Sequence, residues 1–125
     1  MKCPASDGSP SEISRPKTRR LAISFCEDPD NIGFYFNLRF KLFHDTRVII
    51  CNSRLDNVWN IEQRETNFPF EPGTLAEVWF TFERCFFYVK LPDGNEFKFP
   101  NRLKLRSIKH MEIKGEFKFK SIRFD

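Results

Sequence analysis

Apolar residues along this chain recur at every second position in short runs, and no window carries the three-to-four spacing of an amphipathic helix. Leu21–Cys26 alternates loosely until Asp28-Pro29-Asp30-Asn31 stops it. Phe34–Lys41 (FYFNLRFK) is dense in aromatic rings, and Arg47–Ser53 (RVIICNS) holds a β-branched run. Leu75–Glu83 and Phe86–Leu91 follow, then the hairpin turn Pro92-Asp93-Gly94-Asn95, which leads into Glu96-Phe97-Lys98-Phe99. Phe117–Phe124 is a last alternating segment. Short strands with turn residues roughly every 8–12 positions predict an all-β domain, a sandwich or a barrel.

Residues 1–20 (MKCPASDGSPSEISRPKTRR) lack any periodic apolar signal and are rich in Ser, Pro and charge, which predicts a disordered tail ahead of one domain over residues 21–125. With 125 residues and 16 Phe, that domain can bury a substantial core. The formal charge of +4 is a mild excess, well short of a dedicated nucleic-acid binder. Nothing in the sequence reads as a signal peptide, and no segment approaches the roughly 20 apolar residues that span a bilayer, so cytosolic synthesis without membrane insertion is expected. Cys3, Cys26, Cys51 and Cys85 have no CxxC spacing, which argues against a metal site, and Cys26, Cys51 and Cys85 are expected to be buried free thiols. No cofactor is implied.

Strand parity gathers the candidate chemistry. Residues two apart share a face, so Tyr35, Asn37 and Arg39 point away from Phe36, Leu38 and Phe40. Asn52 lies with Val48 and Ile50, and Glu62 with Arg64. If the three segments are neighbours, one solvent-facing patch holds Asn37, Arg39, Asn52, Glu62 and Arg64. Arg39, Glu62 and Arg64 can then lock one another by charge-assisted hydrogen bonds, so the donors and acceptors are fixed before a ligand arrives. Trp59 has the wrong parity for that face, and the turn before Glu62 must bring its indole over the edge. Fixed polar groups beside an indole plane suit a sugar, which has hydroxyls on its rim and an apolar C–H face. From the spacings alone, a polar outer face with an ordinary surface ion pair is the simpler reading, because strands with exposed Asn, Arg and Glu are common.

The stretches Phe36-Asn37-Leu38-Arg39-Phe40, Ile50-Cys51-Asn52-Ser53, Trp59-x-x-Glu62-Gln63-Arg64-Glu65, Phe68-Pro69-Phe70-x-Pro72-Gly73 and Val89–Leu103 (VKLPDGNEFKFPNRL) go further. From about Leu21 to Asp125 the chain resembles a galectin of the prototype, single-domain kind. The resemblance implies a two-sheet antiparallel β-sandwich (a jelly roll) that binds β-galactosides on glycoproteins or glycolipids, with the sugar on the concave face of one sheet. The family signature H-x-N-P-R, V-x-N, W-x-x-E-x-R is met by Asn37 and Arg39, by Ile50-Cys51-Asn52, and by Trp59, Glu62 and Arg64. By resemblance, Asn37 and Arg39 hold the axial 4-hydroxyl and ring oxygen of galactose, and Asn52 and Glu62 take the 6-hydroxyl. Arg64 reaches the neighbouring sugar, and Trp59 stacks on the galactose face. Family members are typically exported without a signal peptide, which adds the extracellular space to the expected locations, and a homodimer is a compatible assembly.

Two departures qualify the match. Tyr35 stands where the family has histidine, and Leu38 where it has proline. A phenol can donate and accept, but its oxygen sits farther from the backbone than an imidazole nitrogen, so losing the bond to the 4-hydroxyl would cost roughly 0.5–1.5 kcal/mol. Tyr35 therefore supports an alternative in which galactose binding is weakened or lost and the protein acts through protein contacts. Residues 1–20 also lack the family's L-x-P-G turn and first apolar strand, so an edge strand of each sheet is expected to be missing or replaced. An enzyme is disfavoured: Glu62 and Asp56 do not form a glycosidase pair, and His44 and His110 lack nucleophile partners. Arg102, Lys104, Arg106 and Lys109 could meet nucleic acid, but a strand edge bearing Lys and Arg is more simply protection against aggregation, and no nucleic acid is expected as a partner.

Overall fold

The computed structural model describes residues 2–4, 19–42, 44–71 and 75–115. Every regular element among them is a strand: β1 (Lys2–Pro4), β2 (Arg19–Asp28), β3 (Asn31–Leu42), β4 (Asp45–Leu55), β5 (Val58–Trp59), β6 (Gln63–Glu65), β7 (Leu75–Glu77), β8 (Trp79–Phe82), β9 (Phe86–Lys90), β10 (Glu96–Pro100) and β11 (His110–Gly115). All pair antiparallel. One sheet runs β11-β2-β3-β4-β5, with β6 also on β4; β10-β9-β8 and the pair β1-β7 complete the strands. This is the expected sandwich.

Alternation in β2 and β3 builds its core. Phe25, Phe34 and Phe36 are fully buried and meet Phe80, Phe87 and Phe99 of the opposing strands. Phe34 lies 4.9 Å from Phe99 and 5.0 Å from Phe87, ring centre to ring centre, and Phe36 meets Phe80 edge-to-face at 5.0 Å. Such rings contribute packing energy beyond the area they bury. The turns follow from their residues. Asp28 accepts from the Asp30 backbone N–H and the Asn31 amide, both at 2.9 Å, turning β2 into β3. Asp56 and Asn57 both sit at positive φ, 50° and 66°, the pair of left-handed residues that a two-residue hairpin needs between β4 and β5. The β3–β4 register sets Tyr35 opposite Asn52, Asn37 opposite Ile50 and Arg39 opposite Val48, and β6 sets Arg64 opposite Ile50.

Several expectations change. Lys2–Pro4 is a strand on Leu75–Glu77, and β2 already begins at Arg19, so both ends of the expected tail are in strands; residues 5–18 lie outside the described residues. An edge position is thus filled by a segment too short to show a period. Residues 101–109 form a loop rather than a strand edge, because the Asn101 side chain folds the chain back on itself: its Nδ2 donates to the Leu105 and Arg84 carbonyls at 3.0 and 2.9 Å, and its Oδ1 accepts from the Leu105 N–H at 3.0 Å. Val78 breaks the run Leu75–Glu83 into β7 and β8. Cys26 and Cys51 are buried free thiols, pushed upward in pKa by burial, Cys26 to about 11 and Cys51 well above the ordinary value. Cys85 is exposed, because it sits in the turn between β8 and β9 and not within a strand. The segment Phe117–Phe124 lies outside the described residues, as do Pro72 and Gly73.

Candidate functional site

β3, β4 and β6 bring the polar face together. A hollow of about 430 Å³ is lined by Tyr35, Arg39, Ile50, Asn52, Trp59, Asn60 and Glu62. Four of its walls, Tyr35, Arg39, Ile50 and Asn52, come from same-face positions of two paired strands. Trp59 enters from β5, in register with Arg54, and is 44% exposed. Its ring meets Tyr35 edge-on at 4.9 Å, and the Arg54 guanidinium stands 5.1 Å from its centre. The indole is therefore held at the rim by contacts on two sides while much of it faces solvent. Tyr35 and Trp59 also line a second hollow of about 260 Å³, toward Arg20, Ser24, Glu112 and Lys114, so the two rings form the ridge between them.

The two amides are not solvent-facing as the parity reading has them. Asn37 is 1% exposed and Asn52 is 5% exposed, because short side chains sink beneath the longer groups around them. Asn37 donates to the Leu21 carbonyl at 3.1 Å and accepts from Arg39 Nε at 2.6 Å, so it fixes the plane of the guanidinium above it. Asn52 donates to the Asn60 carbonyl at 2.9 Å and accepts from the Ser53 N–H at 2.7 Å. It thereby ties β4 to the loop that carries Glu62.

The ion network also differs from the expected triad. Arg39 reaches Asp45 rather than Glu62, through Nη1 to Oδ2. Arg64 binds the other oxygen of Asp45 at 2.8 Å and Glu62 at 3.1 Å. The order is Arg39–Asp45–Arg64–Glu62, with Asp45 as the hub. Glu62 precedes β6 and pairs with Arg64 and no other cation among the described residues. Asp45 escapes a period-two reading because Arg47, at φ 51°, interrupts the alternation between it and Val48. The signal that could have found it is electrostatic: two arginines on one face, two strands apart, call for a carboxylate between them.

Arg64 and then Arg39 hold the Asp45 carboxyl below its ordinary value of 3.8. A depressed folded pKa means that the bridge stabilises the protein fully above the unfolded value and is lost as pH falls through the folded one. We expect the stability difference between the native chain and Asp45→Asn to be constant above pH 3.8 and to shrink below it, as followed by urea unfolding across a pH series. A difference that fades well above that value would contradict the assignment.

Known proteins resemble most of the chain. The family model for galactoside-binding lectins matches residues 7–124. Galectin-1 of Capra hircus is 43% identical over 107 residues, which are 86% of this chain and 79% of the relative. The solved complex of toad ovary galectin with N-acetylgalactose superposes with a TM-score of 0.82 at 32% identity, covering 97% of this chain and 83% of that one. The structure of CG-16, a homodimeric agglutinin from chicken liver, gives 0.78 at 32% identity, covering 84% and 79%.

Proposed function

Because the chain belongs to the galectins, a family of non-enzymatic galactoside-binding lectins, we propose that it recognises β-galactoside-containing glycans in the hollow between Tyr35, Arg39, Asn52, Trp59 and Glu62. The observation that carries this is the convergence of those five side chains on one cavity, beneath which Asn37 and Asp45 fix the cations. Arg39 offers guanidinium N–H donors, Glu62 offers a carboxylate acceptor, and Asn52 sets the wall between them. These groups match a ring of hydroxyls, each of which both donates and accepts. The indole of Trp59 supplies the apolar plane for the C–H face of the sugar. Arg64, tied to Asp45 and Glu62, is the group assigned to a second ring on this reading. Because these side chains are paired before any ligand arrives, little ordering cost remains for binding.

Tyr35 favours a second function, in which galactose binding is weakened and the same sandwich works through protein contacts. Its ring closes on Trp59 at the point where the family places an imidazole. Chromatography on immobilised lactose separates the two. The native chain is expected to be retained and eluted by free lactose, and Arg64→Ala to pass through. If Tyr35 blocks the site instead, the native chain flows through and Tyr35→His is retained. Passage of the native chain, Arg64→Ala and Tyr35→His alike would count against lectin activity.

A further inference from the structure

A separate hollow of about 620 Å³ is walled by the 102–109 loop, the β2–β3 turn and the β4–β5 turn, and meets the sugar site only where Arg102 touches Asn52. Four cations line it, Arg102, Lys104, Arg106 and Lys109, against two acids, Glu27 and Asp56. One acid is already neutralised, since Lys109 Nζ lies 2.8 Å from Glu27 Oε1. Arg102, Lys104 and Arg106 have no carboxylate partner among the described residues.

Arg102 is the unusual member. It is half-buried, and its Nη1 donates only to neutral acceptors, Asn52 Oδ1 and Ser53 Oγ, both at 3.2 Å. Its guanidinium lies 4.6 Å from the Phe99 ring centre. Partial desolvation lowers its pKa, and no carboxylate offsets the loss. A cation in that position is conditioned to accept an anion, because its remaining donors are not consumed inside the protein. The loop that presents it is rigidly built. Leu105 is buried, and its Cδ1 would stand 2.5 Å from a β-carbon at Gly33, so a side chain there would push Leu105 from its place. Asn101 ties the first half of the loop to Leu105 and to the Arg84 carbonyl, and Lys104 sits at φ 54°. Lys104 and Arg106 line the hollow as exposed cations.

We propose that this hollow binds a small ligand with clustered oxyanions, phosphate or sulfate, through Arg102, Lys104 and Arg106. The interaction needs no sugar in the other site and is measured directly. Isothermal titration of the full chain would use inorganic pyrophosphate in one arm and a sulfated disaccharide lacking galactose in the other. Saturable binding in either arm is expected, weakened by added salt, and the tighter arm identifies the source of the anion. The control is Lys104→Glu combined with Arg106→Glu. It leaves Arg102 in contact with Asn52, so lactose retention is unchanged, and it lowers anion affinity about tenfold or more. Absence of saturable binding in both arms, or equal binding by the double variant when circular dichroism shows it folded, would overturn the proposal.

Discussion

Replacing Phe34 with alanine is expected to cost about 3–5 kcal/mol of stability, a large part of the roughly 5–15 kcal/mol available to a domain of this kind. Phe34 has no exposed surface and meets five other rings: Phe25 and Phe36 in its own sheet, and Phe80, Phe87 and Phe99 across the core. Truncation leaves a cavity between two hydrogen-bonded sheets, which cannot collapse without breaking register. Thermal unfolding should move down by about 10 °C or more. A solvent-facing control on the same strand, Lys41→Ala, should shift it by far less. If Phe34→Ala melted within a few degrees of the native chain, the two sheets would not share the core described.

The second large effect falls on the site. Asp45→Ala removes the only carboxylate that joins Arg39 to Arg64 among the described residues and leaves two guanidiniums facing each other. Like charges at that range repel, and both side chains regain rotamer freedom that binding must then remove. Lactose affinity should fall about tenfold or more, equivalent to ~1.4 kcal/mol, while the sandwich stays folded. Titration calorimetry at neutral pH checks this. An unchanged affinity would mean that Asn37 alone holds Arg39 and that the hub is ornamental.

Much of the sandwich was legible because its strands alternate. Phe34, Phe36 and Leu38 turn inward at every second residue while Tyr35, Asn37 and Arg39 turn to the other face, and the pairing of Tyr35 with Asn52 follows once β3 and β4 are neighbours. The hollow was legible for the same reason, with Tyr35, Arg39 and Asn52 on the predicted face and Trp59 at its edge. The misses are places where period two fails or says too little. Arg47 at positive φ hides Asp45. Three-residue β1 has no room for a period. Residues 101–109 carry charges at strand-like spacing, yet their course is set by one side chain, Asn101, whose hydrogen bonds no pattern announces. His110–Gly115 was not read as a strand, although Met111 and Ile113 alternate with charged or polar neighbours; the structure pairs it with β2. Burial depth was not legible either: parity gives the face of Asn37 and Asn52, but the bulk of Arg39 and the Asn60 loop decides that both amides lie beneath it.

Nitrogen-detected NMR of the two indole N–H groups during a lactose titration tests the central claim most directly. Trp59 stands at the rim of the proposed sugar hollow, whereas Trp79 lies in β8, in the other sheet. A saturable shift of the Trp59 signal with Trp79 unmoved is the predicted result. Movement of Trp79 alone, or of neither signal while lactose binds, would contradict it.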